Sequence, residues 1–182
     1  MEKVQISQDT LYQFLQDRNL IVAVIGKKTG IGNGLLMGCF HHNLNRHGKP
    51  LSFSAANIVR INTVIWQIAE ELRGCLLTFG SDQTFTNQRG TTYDPALVAG
   101  FRKIGEYLKL RGLTERILGW NKAKCEGTLN VKSSPMYGRI SQADADRINA
   151  ELLSVAGVLS SYEVVVDNEA FSGAANIDKV DN

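Results

Sequence analysis

The 182-residue chain carries 43% hydrophobic and 21% charged residues, an ordinary globular mixture long enough for one domain with a sizeable core. A formal net charge of +2 weighs against a dedicated nucleic-acid binder, and three widely separated cysteines, Cys39, Cys75 and Cys125, leave no CxxC pair for a zinc site or disulfide framework. The polar opening Met1–Gln5 is no signal peptide and no apolar run is long enough to span a bilayer, so a cytoplasmic chain with no membrane contact is expected.

No linker, repeat or low-complexity tract divides residues 1–182, which read as a single domain. Residues 8–18 form a first helix, with Leu11, Phe14 and Leu15 on one face. The unbroken apolar run Leu20 to Ile25 reads as a buried central strand, followed by glycines at 26, 30 and 32. A helix over 33–47 ends at Gly48, and Leu51–Phe53 is a short second strand. Residues 57–73 give the clearest helix, with Ile58, Ile61, Ile65, Ile68 and Leu72 on one stripe, Asn57 as cap and Gly74 as stop.

Cys75 to Phe79 reads as a third buried strand, and 83–93 as an exposed loop. Asp94-Pro95 caps a helix that reaches Gly112, and a short helical piece covers 114–118. Residues 119–140 are broken by Gly119, Gly127, Pro135 and Gly138. Ser141 and Asp144 open a last helix with Ile148, Leu152, Val155 and Leu159 inward, followed by a strand over 162–166 and a small, polar tail from Ser172. Strand–helix alternation through the first 80 residues predicts an α/β, Rossmann-like three-layer domain with a parallel sheet and a helix-rich second half. The alternative is a mainly α-helical bundle.

Strand, glycine turn and helix together would aim bare backbone N–H groups at a phosphate. In that reading Gly26 turns the chain off the strand, and Gly30 and Gly32 admit the ligand. Lys27 and Lys28 add charge, Thr29 adds a hydroxyl, and Ile31 and Asn33 complete the loop. No Gly-Lys-Ser/Thr closes a P-loop. The spacing Gly26-x-x-x-Gly30-Ile31-Gly32 resembles the cofactor loop of the short-chain dehydrogenase/reductase family. Ile68 to Asp82 resembles that family's helix, third strand and terminal aspartate.

The resemblance implies NAD(P) or another nucleotide as cofactor, with Asp82 near the adenine. The family's Tyr-x-x-x-Lys is missing: Tyr93, Tyr107, Tyr137 and Tyr162 are followed four residues later by Leu97, Arg111, Ser141 and Val166. Binding or sensing of a nucleotide is therefore expected rather than redox catalysis, with the enzyme question left open.

His41, His42 and His47 lack chelating spacing, so no metal is expected. Arg102, Lys103, Lys109, Arg111 and Arg116, joined by Lys122 and Lys124, make a basic segment open to nucleic acid. The region 144–169 is acidic. The two segments could meet within a chain or between copies, and a homo-oligomer is expected. The competing function is a non-enzymatic helical assembly or accessory protein whose basic helix faces a partner or nucleic acid.

Overall fold

Two long amphipathic helices organise the structure, a computed structural model that describes residues 3–80, 85–86, 90, 92–132 and 134–166. In chain order the elements are β1 (Val4–Ser7), α1 (Leu11–Gln16), α2 (Val22–Thr29), α3 (Asn33–Phe40), α4 (Ala55–Arg73), β2 (Phe85–Thr86) and β3 (Thr92–Tyr93). There follow α5 (Pro95–Gly105), α6 (Leu110–Leu118), α7 (Lys122–Leu129), α8 (Gln142–Ser161) and β4 (Tyr162–Val165).

Helix α4 begins at Ser54, whose hydroxyl accepts from the Asn57 N–H at 3.3 Å, so the cap lies earlier than the expected Asn57. Its stripe of Ile58, Ile61, Ile65, Ile68 and Leu72 is buried as the spacing predicts. Helix α8 starts at Ser141, which accepts from the Asp144 N–H at 3.1 Å, and buries Ala145, Ile148, Leu152, Val155 and Leu159. The two stripes pack on each other and make the centre of the core. Each Leu or Ile buried there is worth about 1.5–3 kcal/mol of transfer free energy.

The strand expected at Leu20–Ile25 is not formed. Leu20 makes a single bridge to Leu108, and the chain then enters α2. Val22, Ile25, Gly26 and Thr29 fall on one buried helical face, whereas Ala23 and Lys27 are exposed. A six-residue apolar run fits either element, and here the helical spacing of its buried members is what decides. Cys75–Phe79 forms neither helix nor strand. Asn149 takes the ladder's place: its Oδ1 accepts from the Leu77 N–H at 2.7 Å and its Nδ2 donates to the Leu77 carbonyl at 2.9 Å.

Leu51–Phe53 is also without a strand; the Phe53 N–H donates to the Gln8 side chain at 3.2 Å. The third helix stops at Phe40 rather than 47, because His42 turns left-handed (φ 51°) and Leu44 bridges Pro50 around Gly48. The helix after Pro95 stops at Gly105 rather than Gly112, where the Leu20–Leu108 bridge turns the chain.

The central sheet of a three-layer domain is therefore missing from the described residues, which are mainly helical. The sheet they do form is two-stranded and parallel, β1 with β4, in the register Val4↔Tyr162 to Ser7↔Val165. Strand β4 covers most of the expected 162–166. A second pair, β2 with β3, is antiparallel and lies in the region read as loop. No helix among the described residues is long and apolar enough to cross a membrane.

Candidate nucleic-acid interface

Two sequence segments were candidates for chemistry, and the structure treats them differently. The glycine segment is a corner between α2 and α3. Gly26 sits inside α2, where a Cβ would meet Leu36 Cδ2 at 3.2 Å and the Ile31 carbonyl at 3.3 Å; its role is close helix packing. The Thr29 hydroxyl donates to the Ile25 carbonyl at 2.7 Å and accepts from the Ile31 N–H at 3.2 Å. Gly30 is left-handed (φ 72°) and ends α2. Ile31 is buried, Gly32 caps α3 and Asn33 is its first residue.

Lys28 points away from this corner to α4, its Nζ 2.9 Å from both Glu71 carboxylate oxygens, and Lys27 is exposed. The strand that should lead into the loop is absent, so the strand–glycine–helix layout is replaced by helix–glycine–helix. Asp82 lies outside the described residues.

The basic segment forms a more distinctive unit. Helix α6 ends at Gly119, left-handed at φ 65°, and Gly119, Trp120 and Asn121 turn the chain into α7. The Asn121 side chain accepts from the Lys124 N–H at 2.9 Å and caps the new helix. Leu113 and Thr114 on α6, Trp120 in the turn, and Cys125 and Thr128 on α7 are buried and lock the two helices together. The Thr114 hydroxyl and the Cys125 thiol lie 3.2 Å apart. Helix α6 also packs on α8, where Arg116 meets Glu151 at 2.6 Å and the Arg147 guanidinium donates to the Ile117 carbonyl.

The outward face of this unit is cationic. Residues 102–124 contain seven Lys or Arg and two Glu, a net charge of +5 on a chain of net +2. Asn121, Lys122, Ala123 and Lys124, the opening turn of α7, are all exposed. Lys124 lies 4.6 Å from the Trp120 ring centre, a cation–π contact that steadies it at the turn. Arg102 and Lys132 flank a cleft floored by Phe101, Leu110, Leu129 and Tyr137 between α5 and α7.

Of the five basic residues singled out first, Arg102 and Lys103 are exposed on the last turn of α5. Lys109 donates to Gln16 at 2.8 Å, and Arg111 pairs with Glu115 at 2.8 Å on the surface. Arg116 is tied to α8 and is structural. The sequence reading noted Lys122 and Lys124 but missed the second helix. Gly119 and Gly127 read as breakers, although Gly127 lies in α7, where a Cβ would meet Met136 Cε at 2.8 Å.

Among the described residues no group of three or more His, Cys, Asp or Glu could hold a metal. All three cysteines are buried; burial pushes the thiols of Cys39 and Cys75 up, away from the reactive thiolate. No protein-family model, curated protein or solved structure matches this chain.

Proposed function

We propose that this chain binds duplex DNA without catalysis, using α6 and α7 as a helix-turn-helix. The carrying observation is the tight corner itself: two short helices joined by three residues with glycine left-handed at the first, and a cationic, uncovered opening turn on the second helix. Such a pair seats its second helix in the major groove with that helix's first residues at the base edges. Lys122 and Lys124 occupy those places.

Arg111 and Lys109, at the start of α6, suit the flanking phosphates. The Arg111–Glu115 pair is exposed and worth little, so a phosphate can replace it. Duplex reading by a helix needs no aromatic platform, so the lack of exposed aromatic residues between the cations is no objection. In the same reading the Gly30–Gly32 corner is a helix–helix joint and not a nucleotide cradle.

The test is fluorescence anisotropy with a labelled duplex of mixed sequence at several salt concentrations. Non-specific binding of roughly 10⁻⁴ to 10⁻⁶ M is expected, with log K falling linearly in log salt. The double substitution Lys122→Glu, Lys124→Glu should weaken binding about tenfold or more, whereas Lys109→Ala, which removes a cation suited to a phosphate, should flatten the salt slope by about one. Absence of binding at low salt, or unchanged binding by the folded double variant, would overturn the reading.

A further inference from the structure

The cleft between α5 and α7 has a volume of about 480 Å³, within the range of small-molecule sites. A hollow of about 360 Å³ continues it along α6 and shares Gly105, Leu110, Leu129 and Asn130 with it. Phe101, Leu110 and Leu129 make its walls apolar.

One polar group is built into those walls. Tyr137 is 6% exposed, and its ring packs against Tyr93 with 5.4 Å between centres. Among the described residues its hydroxyl has no hydrogen-bond partner, and yet the oxygen is not sealed from solvent. A sealed and unpaired phenol would be costly. This one keeps access to water through the cleft that Tyr137 lines.

Two opposite charges share the rim. Arg102 lies on the last turn of α5 and Glu106 is the residue that ends it, four positions on and so on the same face. They form no ion pair with each other, nor with any other described residue. Arginine ahead of glutamate is the weaker order for pairing across a helical turn. Glu106 also stands where the helix dipole places partial negative charge, so a cation beside it is favoured. Lys132 shares the rim and is already engaged.

We propose that this cleft binds a free α-amino acid with a large apolar side chain. Arg102 takes its carboxylate and Glu106 its ammonium. The side chain lies among Phe101, Leu110 and Leu129, and the Tyr137 hydroxyl supplies a further donor. A simple organic acid would leave Glu106 facing an anion, and a simple amine would leave Arg102 unmatched. A zwitterion answers both charges. The inference rests on the cleft alone and stands whether or not α7 reads DNA, because Lys122 and Lys124 lie at the other end of that helix.

The test is an NMR titration of isotope-labelled protein with L-phenylalanine at low ionic strength. The backbone amides of Gly105, Leu110 and Asn130 should shift together, with a Kd of about 1 mM or tighter. Phenethylamine lacks the carboxylate and hydrocinnamate lacks the ammonium; each should bind about threefold or more weakly. Arg102→Ala should weaken phenylalanine and leave phenethylamine unchanged, whereas Glu106→Gln should weaken phenylalanine and leave hydrocinnamate unchanged. Both residues are exposed, so both variants should keep the native melting temperature.

No shift at about 10 mM phenylalanine overturns the proposal, as do shifts confined to residues away from the cleft. Either analogue binding the native chain as tightly as phenylalanine also overturns it; in the case of hydrocinnamate the cleft is a site for organic anions. If a variant melts early, the two analogues on the native chain decide.

Discussion

Glu71 shows how one side chain can serve the fold in a place where the sequence invited a ligand. Burial pushes its carboxyl up, but hydrogen bonds from Lys28, Tyr107 and Gln67 outweigh that and hold it below the usual carboxylate range. Burial and the adjoining Glu71 carboxylate push the Tyr107 phenol in turn up to about 12. The signs differ. A depressed carboxyl contributes stability above its unfolded pKa and loses it as pH falls through the folded one; a raised phenol contributes below its unfolded pKa and loses it only as pH climbs towards 12.

Glu71→Gln should therefore destabilise the protein at pH 7 by about 1–2 kcal/mol, with the deficit shrinking towards zero in strong acid. Urea unfolding at pH 7 and near pH 3 reads this directly. An equal deficit at both would mean that the charge contributes nothing. Lys28 was a phosphate candidate on sequence grounds because its neighbours are glycines. Its true partner lies 43 residues away, on a helix that local sequence could not bring near.

Among elements, legibility followed length and periodicity. Helices α4 and α8 were readable because each repeats its apolar stripe over about four turns; Ser141 marks the start of α8 in the sequence, whereas Asn57 hides the true cap of α4, Ser54. The segment around Leu20–Ile25 was not, because six apolar residues carry too little period to tell a helix from a buried strand. Asn149 and Asn62 added a further ambiguity. Each amide supplies an N–H and a C=O to another segment, so Leu77 and Val164 look like sheet residues without a neighbouring strand on that side.

The candidate interface was half legible: its cations were plain, while its corner was hidden by glycines that stand equally for loops and for turns. Gly119 is the point on which that corner depends. Valine there must hold φ near +65°, a cost of about 1–3 kcal/mol. Gly119→Val is expected to lower the melting temperature and to weaken DNA binding more than an alanine at exposed Lys103 does. Calorimetry and anisotropy on the same two variants check this. An unchanged melting temperature would show that the turn is dispensable.

Across the whole molecule, the basic and acidic segments do meet, but within one chain. Arg116 reaches Glu151 and Arg147 caps the end of α6, so α8 carries the helix pair on its flank. This spends part of the charge that could have joined two copies. The DNA binding proposed for α6 and α7 rests on exposed cations. Raising the salt from about 50 to 200 mM should therefore cost DNA affinity orders of magnitude. Anisotropy across one salt series checks this; an affinity indifferent to salt would mean that the cations do not carry the binding.

The pairing of β1 with β4 also sets a timetable for biosynthesis. Val4–Ser7 leaves the ribosome before its partner Tyr162–Val165, which follows every helix in the described chain. Asn62 likewise waits 102 residues for Val164. Helices α1 to α7 can take shape during translation, since their bonds are local. The sheet and the inner face of α4 cannot be completed until α8 has emerged. Throughout that interval the nascent chain carries an unsatisfied strand and an uncovered isoleucine stripe, the kind of surface that chaperones hold.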